Sequence, residues 1–259
     1  MTDRLSKAFI IETLFIAVIL TGCVSTLDDS GYVSDTNKAG ETHVAAGLEY
    51  LSTGEKESAR RHFQSALDIS DMNAAAHNGI AIVYQQDKDF VFAEKHFKRA
   101  LQIDPDFSQA RFNYSGFLVH TERYRDAEKN LLILVKDVTY SKRDLATLHL
   151  GFLQHKAGND SAALESFKNA VGLNSRLSSA HEAMAVLYFE KKNYPLVAQS
   201  LNQYNQTRRG RPSAKSLWVK IRLEQIFDDK DKEASAVLAL KNMYPYSEEY
   251  LAYKKSIKQ

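Results

Sequence analysis

Small and large apolar residues recur along this chain in triplets whose members lie four and then three positions apart. Ala59, Phe63 and Ala66 form one triplet, Ala93, Phe97 and Ala100 the next, and Ala163, Phe167 and Ala170 another. Ala127, Leu131 and Leu134 keep the spacing, as do Val197, Leu201 and Tyr204 and, in degenerate form, Ala234, Leu238 and Lys241. Such spacing puts the three side chains on one face of an α-helix. The first members step by 34, 34, 36, 34 and 37 residues, a period that marks stacked supersecondary units. A second helix precedes each triplet. Its small residue (Gly47, Ala81, Ser115, Gly151 or Ala185) reads as the point where the paired helices cross closely. Tyr50, Tyr84, Leu118 and Tyr188 follow three residues later, and Gly54 and Gly158 mark the turn, where Lys88 and Arg123 stand in neighbouring units.

A helical hairpin with this face and period resembles the tetratricopeptide repeat. The resemblance implies an all-α fold, a right-handed superhelical solenoid of about six repeats near 40–73, 74–107, 108–143, 144–177, 178–213 and 214–250, within a domain spanning 41–259. Pro105 ends the second repeat where the motif expects proline. His43, His77 and His181 share the repeat position usually held by tryptophan, taken by Trp218 in the sixth unit, and His62 and His96 are equivalent to each other. These histidines therefore read as packing residues, with no spacing suited to a metal.

The N-terminus breaks the pattern. Arg4 and Lys7 precede an apolar run from Ala8 to Leu20, interrupted by Glu12 and Thr13. The run has the size of a secretory signal core and is short for a membrane span. Leu20-Thr21-Gly22-Cys23 follows, and it resembles the bacterial lipobox. That resemblance implies a signal peptide over 1–22 and a diacylglyceryl group on Cys23, with Val24 rather than Asp behind it favouring the outer membrane. Residues 23–40, rich in Ser, Thr, Asp, Gly and Asn, read as a lipidated cysteine and a flexible tether. Stretched out, such a tether reaches about 50 Å.

Composition narrows the chemistry. Lys+Arg and Asp+Glu number 34 and 32, a net charge of +2 that gives no reason to invoke nucleic acid. There is one cysteine, so neither an intramolecular disulfide nor a cysteine-rich metal site is possible. No P-loop, GxGxxG or GxSxG pattern is present, so no catalytic residue, cofactor or metal is expected. Arg208, Arg209 and Arg211 cluster around Gly210, and read as a solvated connector or a contact for anionic lipid or an acidic partner.

A tetratricopeptide solenoid presents its concave face through fixed first-helix positions. Carried over, these are Val44, Leu48 and Leu51; Asn78, Ile82 and Gln85; Phe112, Gly116 and Val119. They continue with Leu148, Phe152 and His155, then Glu182, Val186 and Phe189, and end with Val219, Leu223 and Ile226. The set is mostly apolar and suits an amphipathic helix or extended apolar segment of a protein partner. Burial of the same side chains within the solenoid is the alternative, and Asn78 and Asn113 stand ready for a partner's backbone or for solvent.

Two stretches narrow the family: Asn113-Tyr114-Ser115-Gly116-Phe117-Leu118, and the C-terminal block from Ile226 to Tyr250 containing Asn242-Met243-Tyr244-Pro245-Tyr246. With the lipobox and six repeats they resemble the type IV pilus biogenesis lipoproteins of the PilW/PilF kind. The resemblance implies a pilotin: a monomeric outer-membrane lipoprotein, anchored through lipid, that binds the pilus secretin and promotes its localisation and multimerisation. A lipoprotein scaffold for other periplasmic, cell-wall proteins is the alternative the sequence leaves open.

Overall fold

In the computed structural model residues 29–257 are described, with side chains described from Thr36 onward. The expected signal peptide and Cys23 lie outside the described residues. The first three hairpins are α1 (Asp29–Ser52) with α2 (Lys56–Ile69), α3 (Ala74–Gln86) with α4 (Phe90–Ile103), and α5 (Ser108–His120) with α6 (Tyr124–Lys136). The next three are α7 (Arg143–Lys156) with α8 (Asp160–Leu173), α9 (Ser178–Glu190) with α10 (Tyr194–Thr207), and α11 (Ala214–Phe227) with α12 (Lys230–Met243). A last helix, α13 (Glu248–Ser256), follows, and no strand occurs among the described residues.

The triplets do what their spacing predicts in five of six repeats. Ala59, Phe63 and Ala66 of α2, and their equivalents in α4, α6, α8 and α10, are all buried. Most of them fall in three clusters, each drawing residues from neighbouring helices, so a row of clusters along the stack replaces a central core. The glycines at the crossings are required by space. A Cβ on Gly47 would stand 2.6 Å from Phe63 Cε1, and one on Gly151 2.6 Å from Phe167 Cε1.

Each hairpin turn closes the same way. A residue in the left-handed region sits at Gly54, Lys88, Glu122, Gly158, Lys192 and Asp228, and the next residue's N–H bonds back to a carbonyl five positions earlier, as Asp89 does to Tyr84 at 2.9 Å. This geometry satisfies carbonyls that the helix end would orphan. Asp89, Asn159, Asn193 and Asp229 then cap the following helix through their side chains. The third turn pivots on Glu122, one residue before the expected Arg123. Since a side chain in this region is strained by about 1 kcal/mol, Glu122→Gly is expected to raise the denaturant midpoint by about that much in unfolding free energy.

Two expectations are corrected. The sixth repeat keeps the hairpin but not the predicted register. Ala236 and Leu240 are buried and Met243 packs on them, whereas Leu238 is 59% exposed. The turn residues Lys192 and Asp228 set the offset at 36, so Leu217, not Trp218, takes the slot of His181. The second correction concerns the tether. α1 begins at Asp29, so residues 29–40 are helical. Propagating an existing helix costs little, and Gly40 is buried, its Cβ direction facing Asn73 Nδ2 and Ile69 at the α2–α3 junction.

α13 starts 34 residues after α11 and takes the place of a seventh first helix. Tyr250 and Tyr253 pack on the α11–α12 cluster. Lys255 stands where Ile221 is buried one unit earlier, and is exposed. A polar outer face at that position ends the stack.

Candidate functional site: the concave face and the tryptophan slot

The slot that tryptophan fills in the consensus repeat is underfilled here. In the second repeat it leaves a cavity of about 420 Å³ lined by Asp71, His77, Lys95, His96 and Arg99 among others. His77 Nδ1 lies 2.8 Å from His96 Nδ1, and His77 Nε2 lies 3.0 Å from the Asp71 carbonyl. A carbonyl only accepts, so His77 carries a proton on Nε2, and in its neutral form its Nδ1 accepts from His96. One of the two facing Nδ1 atoms must accept, so the rings cannot both be protonated. His43 and His62 repeat the pairing at 3.2 Å in the first unit. No group of three His, Cys, Asp or Glu that could hold a metal occurs among the described residues.

Burial, and then the neighbouring His77 and Lys95, pull the His96 ring down to about 4. Burial likewise lowers His77, against the opposing pull of Asp71. Between pH 4 and the ordinary histidine value near 6.5 the unfolded chain binds the proton the folded one refuses, so stability rises with pH there. Thermal unfolding is expected to show a midpoint that falls as pH drops from 6.5 toward 4. The slope should flatten in His96→Gln. A second acid-sensitive group lies nearby. Burial works against ionisation of Glu94, but hydrogen bonds from Arg123, Lys98 and Tyr114 outweigh it and hold the carboxyl at about 2.

The concave face divides by exposure. Leu48 and Phe152 are open to solvent, at 46% and 41%; Phe152 stands edge-on to Phe167 with ring centroids 5.1 Å apart. Leu51, Ile82, Gln85, Phe112, Val119 and Val186 are half-buried. Val44, Asn78, Leu148 and Phe189 are buried and form the floor beneath the groove. Asn78 is also occupied: Asn113 Nδ2 donates to its Oδ1 at 3.0 Å, Gln109 Nε2 to Asn113 Oδ1 at 2.9 Å, and Lys142 Nζ to Gln109 Oε1 at 2.9 Å. This polar chain ties the second repeat to the third and reaches the N-cap of α7. Gly116 is exposed with open space beside it. His155 Nδ1 is 2.6 Å from Asp160 Oδ1.

The sixth repeat's register shift alters the groove's far end. Val219 and Leu223 are buried in the cluster beneath. Counting 36 from Glu182, Val186 and Phe189 puts Trp218, Arg222 and Gln225 on the concave line instead. Arg222 carries its Cζ 3.9 Å from the Phe189 ring centroid and 5.7 Å from that of Trp218. The left-handed residue at Asp228, followed by a capping Asp229, was the available sequence signal for this register. Between repeats four and six a small cavity of about 70 Å³ opens among Phe152, Phe167, Val186, Glu182 and Lys215. In the basic connector Arg208 folds back on Asn205 and the Gly210 carbonyl, while Arg209 and Arg211 are exposed.

Helical hairpins of one period, stacked into a superhelix with an apolar inner face, define a tetratricopeptide-repeat protein, and the tetratricopeptide repeat profile matches residues 74–107. The type IV pilus assembly protein PilF of Pseudomonas aeruginosa is 32% identical over 252 residues, covering 96% of this chain and 97% of that protein. A solved structure of Pseudomonas aeruginosa PilF superposes with a TM-score of 0.81 at 31% identity, covering 86% of this chain and 99% of that one. The crystal structure of the type IV pilus biogenesis factor PilW shares the fold, with a TM-score of 0.70 at 20% identity over 83% of this chain and 97% of that one. The chain belongs to the PilF family of type IV pilus tetratricopeptide-repeat proteins.

Proposed function

We propose that the protein is a pilotin: a lipoprotein anchored through Cys23 to the outer membrane that binds the pilus secretin and promotes its multimerisation. The carrying observation is the apolar strip on the concave face, with Leu48 of the first repeat and Phe152 of the fourth exposed along it. An apolar strip on a rigid solenoid suits a partner's amphipathic helix or extended segment. Lipid attached to Cys23 ties the complex to one membrane, where confinement raises the effective concentration of bound monomers and favours ring closure. Binding and tethering account for the role without a chemical step.

Leu48→Glu tests the groove. Its side chain is exposed, so the thermal midpoint should move by no more than about 2 °C, the shift expected of a surface substitution of about 0.5 kcal/mol. Co-purification of secretin with the variant should fall at least tenfold. Undiminished co-purification would remove the groove from the account.

A further inference from the structure

The geometry points to Arg222 as a carboxylate-recognition point in the concave groove, one that selects a partner segment carrying an acidic side chain beside an aliphatic one. The inference rests on the reading of the concave face as a partner-binding surface. It adds the chemistry of the occupant.

Arg222 occupies the groove position held by Leu48, Ile82, Gly116, Phe152 and Val186 in the five preceding repeats. Five apolar or small residues therefore give way to one cation. The guanidinium lies over two aromatic rings, its Cζ 3.9 Å from the Phe189 centroid and 5.7 Å from that of Trp218. A guanidinium held over an aromatic face uses its charge and π-surface there and keeps its N–H donors for a carboxylate. No hydrogen bond or ion pair to Arg222 occurs among the described residues, whereas Arg60 and Arg123 are both paired with carboxylates. Burial bears against its charge, with Glu190 and Tyr194 opposing that effect only in part. A planar cation that is partly desolvated and unpaired is preorganised for a carboxylate, which it can grip through two parallel hydrogen bonds.

The neighbourhood is mixed in charge, and neither Glu190 nor Glu182 forms an ion pair with Arg222. Lys215 enters the groove wall from the first turn of the same helix. Glu182, the nearby carboxylate in that wall, is engaged by the Ser213 hydroxyl. One repeat away, the cavity of about 70 Å³ lined by Phe152, Phe167 and Val186 has room for the tip of an aliphatic side chain. The occupant is therefore a segment of a protein partner with Asp or Glu against Arg222 and an aliphatic residue in that cavity.

Trp218 is the one tryptophan of the chain, so its fluorescence reports on this site alone. The full-length protein in detergent is titrated with a blocked peptide carrying one aspartate between two leucines, and with the same peptide carrying asparagine. The aspartate peptide is expected to change Trp218 emission saturably and at least fivefold more tightly than the asparagine peptide, with the preference weakening as salt is raised. Arg222→Gln should abolish the preference with an unchanged thermal midpoint. Arg222→Lys keeps the charge but loses the stacked fork, and should retain only part of it. Equal responses to the two peptides, no response to either, or a preference that survives Arg222→Gln would overturn the inference. None of these results involves the secretin, so they leave the pilotin reading to its own test.

Discussion

Phe63→Ala is expected to cost about 4 kcal/mol, within the range for deleting a buried phenylalanine. Phe63 is fully buried and is gripped from two sides. A Cβ on Gly47 of its own repeat would stand 2.6 Å from the ring, and a Cβ on Gly79 of the next repeat 2.4 Å from it. The side chain therefore fills the crossing within one hairpin and the junction to the next, and its loss opens both. Because each repeat contacts only its neighbours, the damage should stay local. Hydrogen exchange is expected to show α1 and α2 losing protection while α7 to α10 keep theirs, with a low-temperature shoulder in calorimetry. The converse variant, Gly79→Ala, gains about 1 kcal/mol of helix propensity but overpacks the ring, so a net loss of about 1–2 kcal/mol is expected. Uniform loss of protection along the chain after Phe63→Ala would contradict the picture of stacked, semi-independent units.

Cys23→Ser is expected to move the protein from the membrane fraction to the soluble one while leaving the repeat domain folded. The chain has one cysteine, so no other thiol can take a thioether-linked lipid. Each buried methylene contributes about 0.8 kcal/mol, one acyl chain holds a protein only marginally, and two or more make a lasting anchor. Among the described residues no helix is long and apolar enough to cross a membrane, so the repeat domain offers no transmembrane substitute. The circular-dichroism spectrum and thermal midpoint should match the parent's. A variant that still floats with outer membranes would sink the lipid-anchor proposal.

The solenoid was legible because its determinants are local and repeated. The triplet of α2 specifies the same packing as those of α4 and α8, so each copy supports the reading of the others. The sixth repeat was misread where that redundancy fails. Ala234, Leu238 and Lys241 preserve a plausible spacing, but the packed stripe is buried Ala236 and Leu240 with half-buried Met243. The longer connector around Gly210, pinned by Tyr204 Oη accepting from Ser213 N–H and Tyr244 Oη donating to the Pro212 carbonyl, absorbs the difference. A two-residue slip in the triplet and a one-residue slip in the preceding helix hid Arg222 and Trp218 from the groove. Exposure along the concave face was also beyond pattern alone. Val44 and Leu48 sit one helical turn apart, yet the first joins the cluster around Phe63 and Ile80 while the second stays open. The pairing of His77 with His96 was invisible for a related reason, since it spans 19 residues and two helices.

Secretin assembly in the cell tests the central claim most directly. A strain lacking this chain is complemented with the parent or with Cys23→Ser, and secretin is resolved as heat-resistant multimer or monomer on gels of separated inner and outer membranes. The account predicts monomeric secretin in the inner membrane of the deletion strain, with loss of twitching. The parent should restore outer-membrane multimers, and the Cys23→Ser variant should fail to do so. Normal outer-membrane multimers and normal twitching in the deletion strain would contradict it.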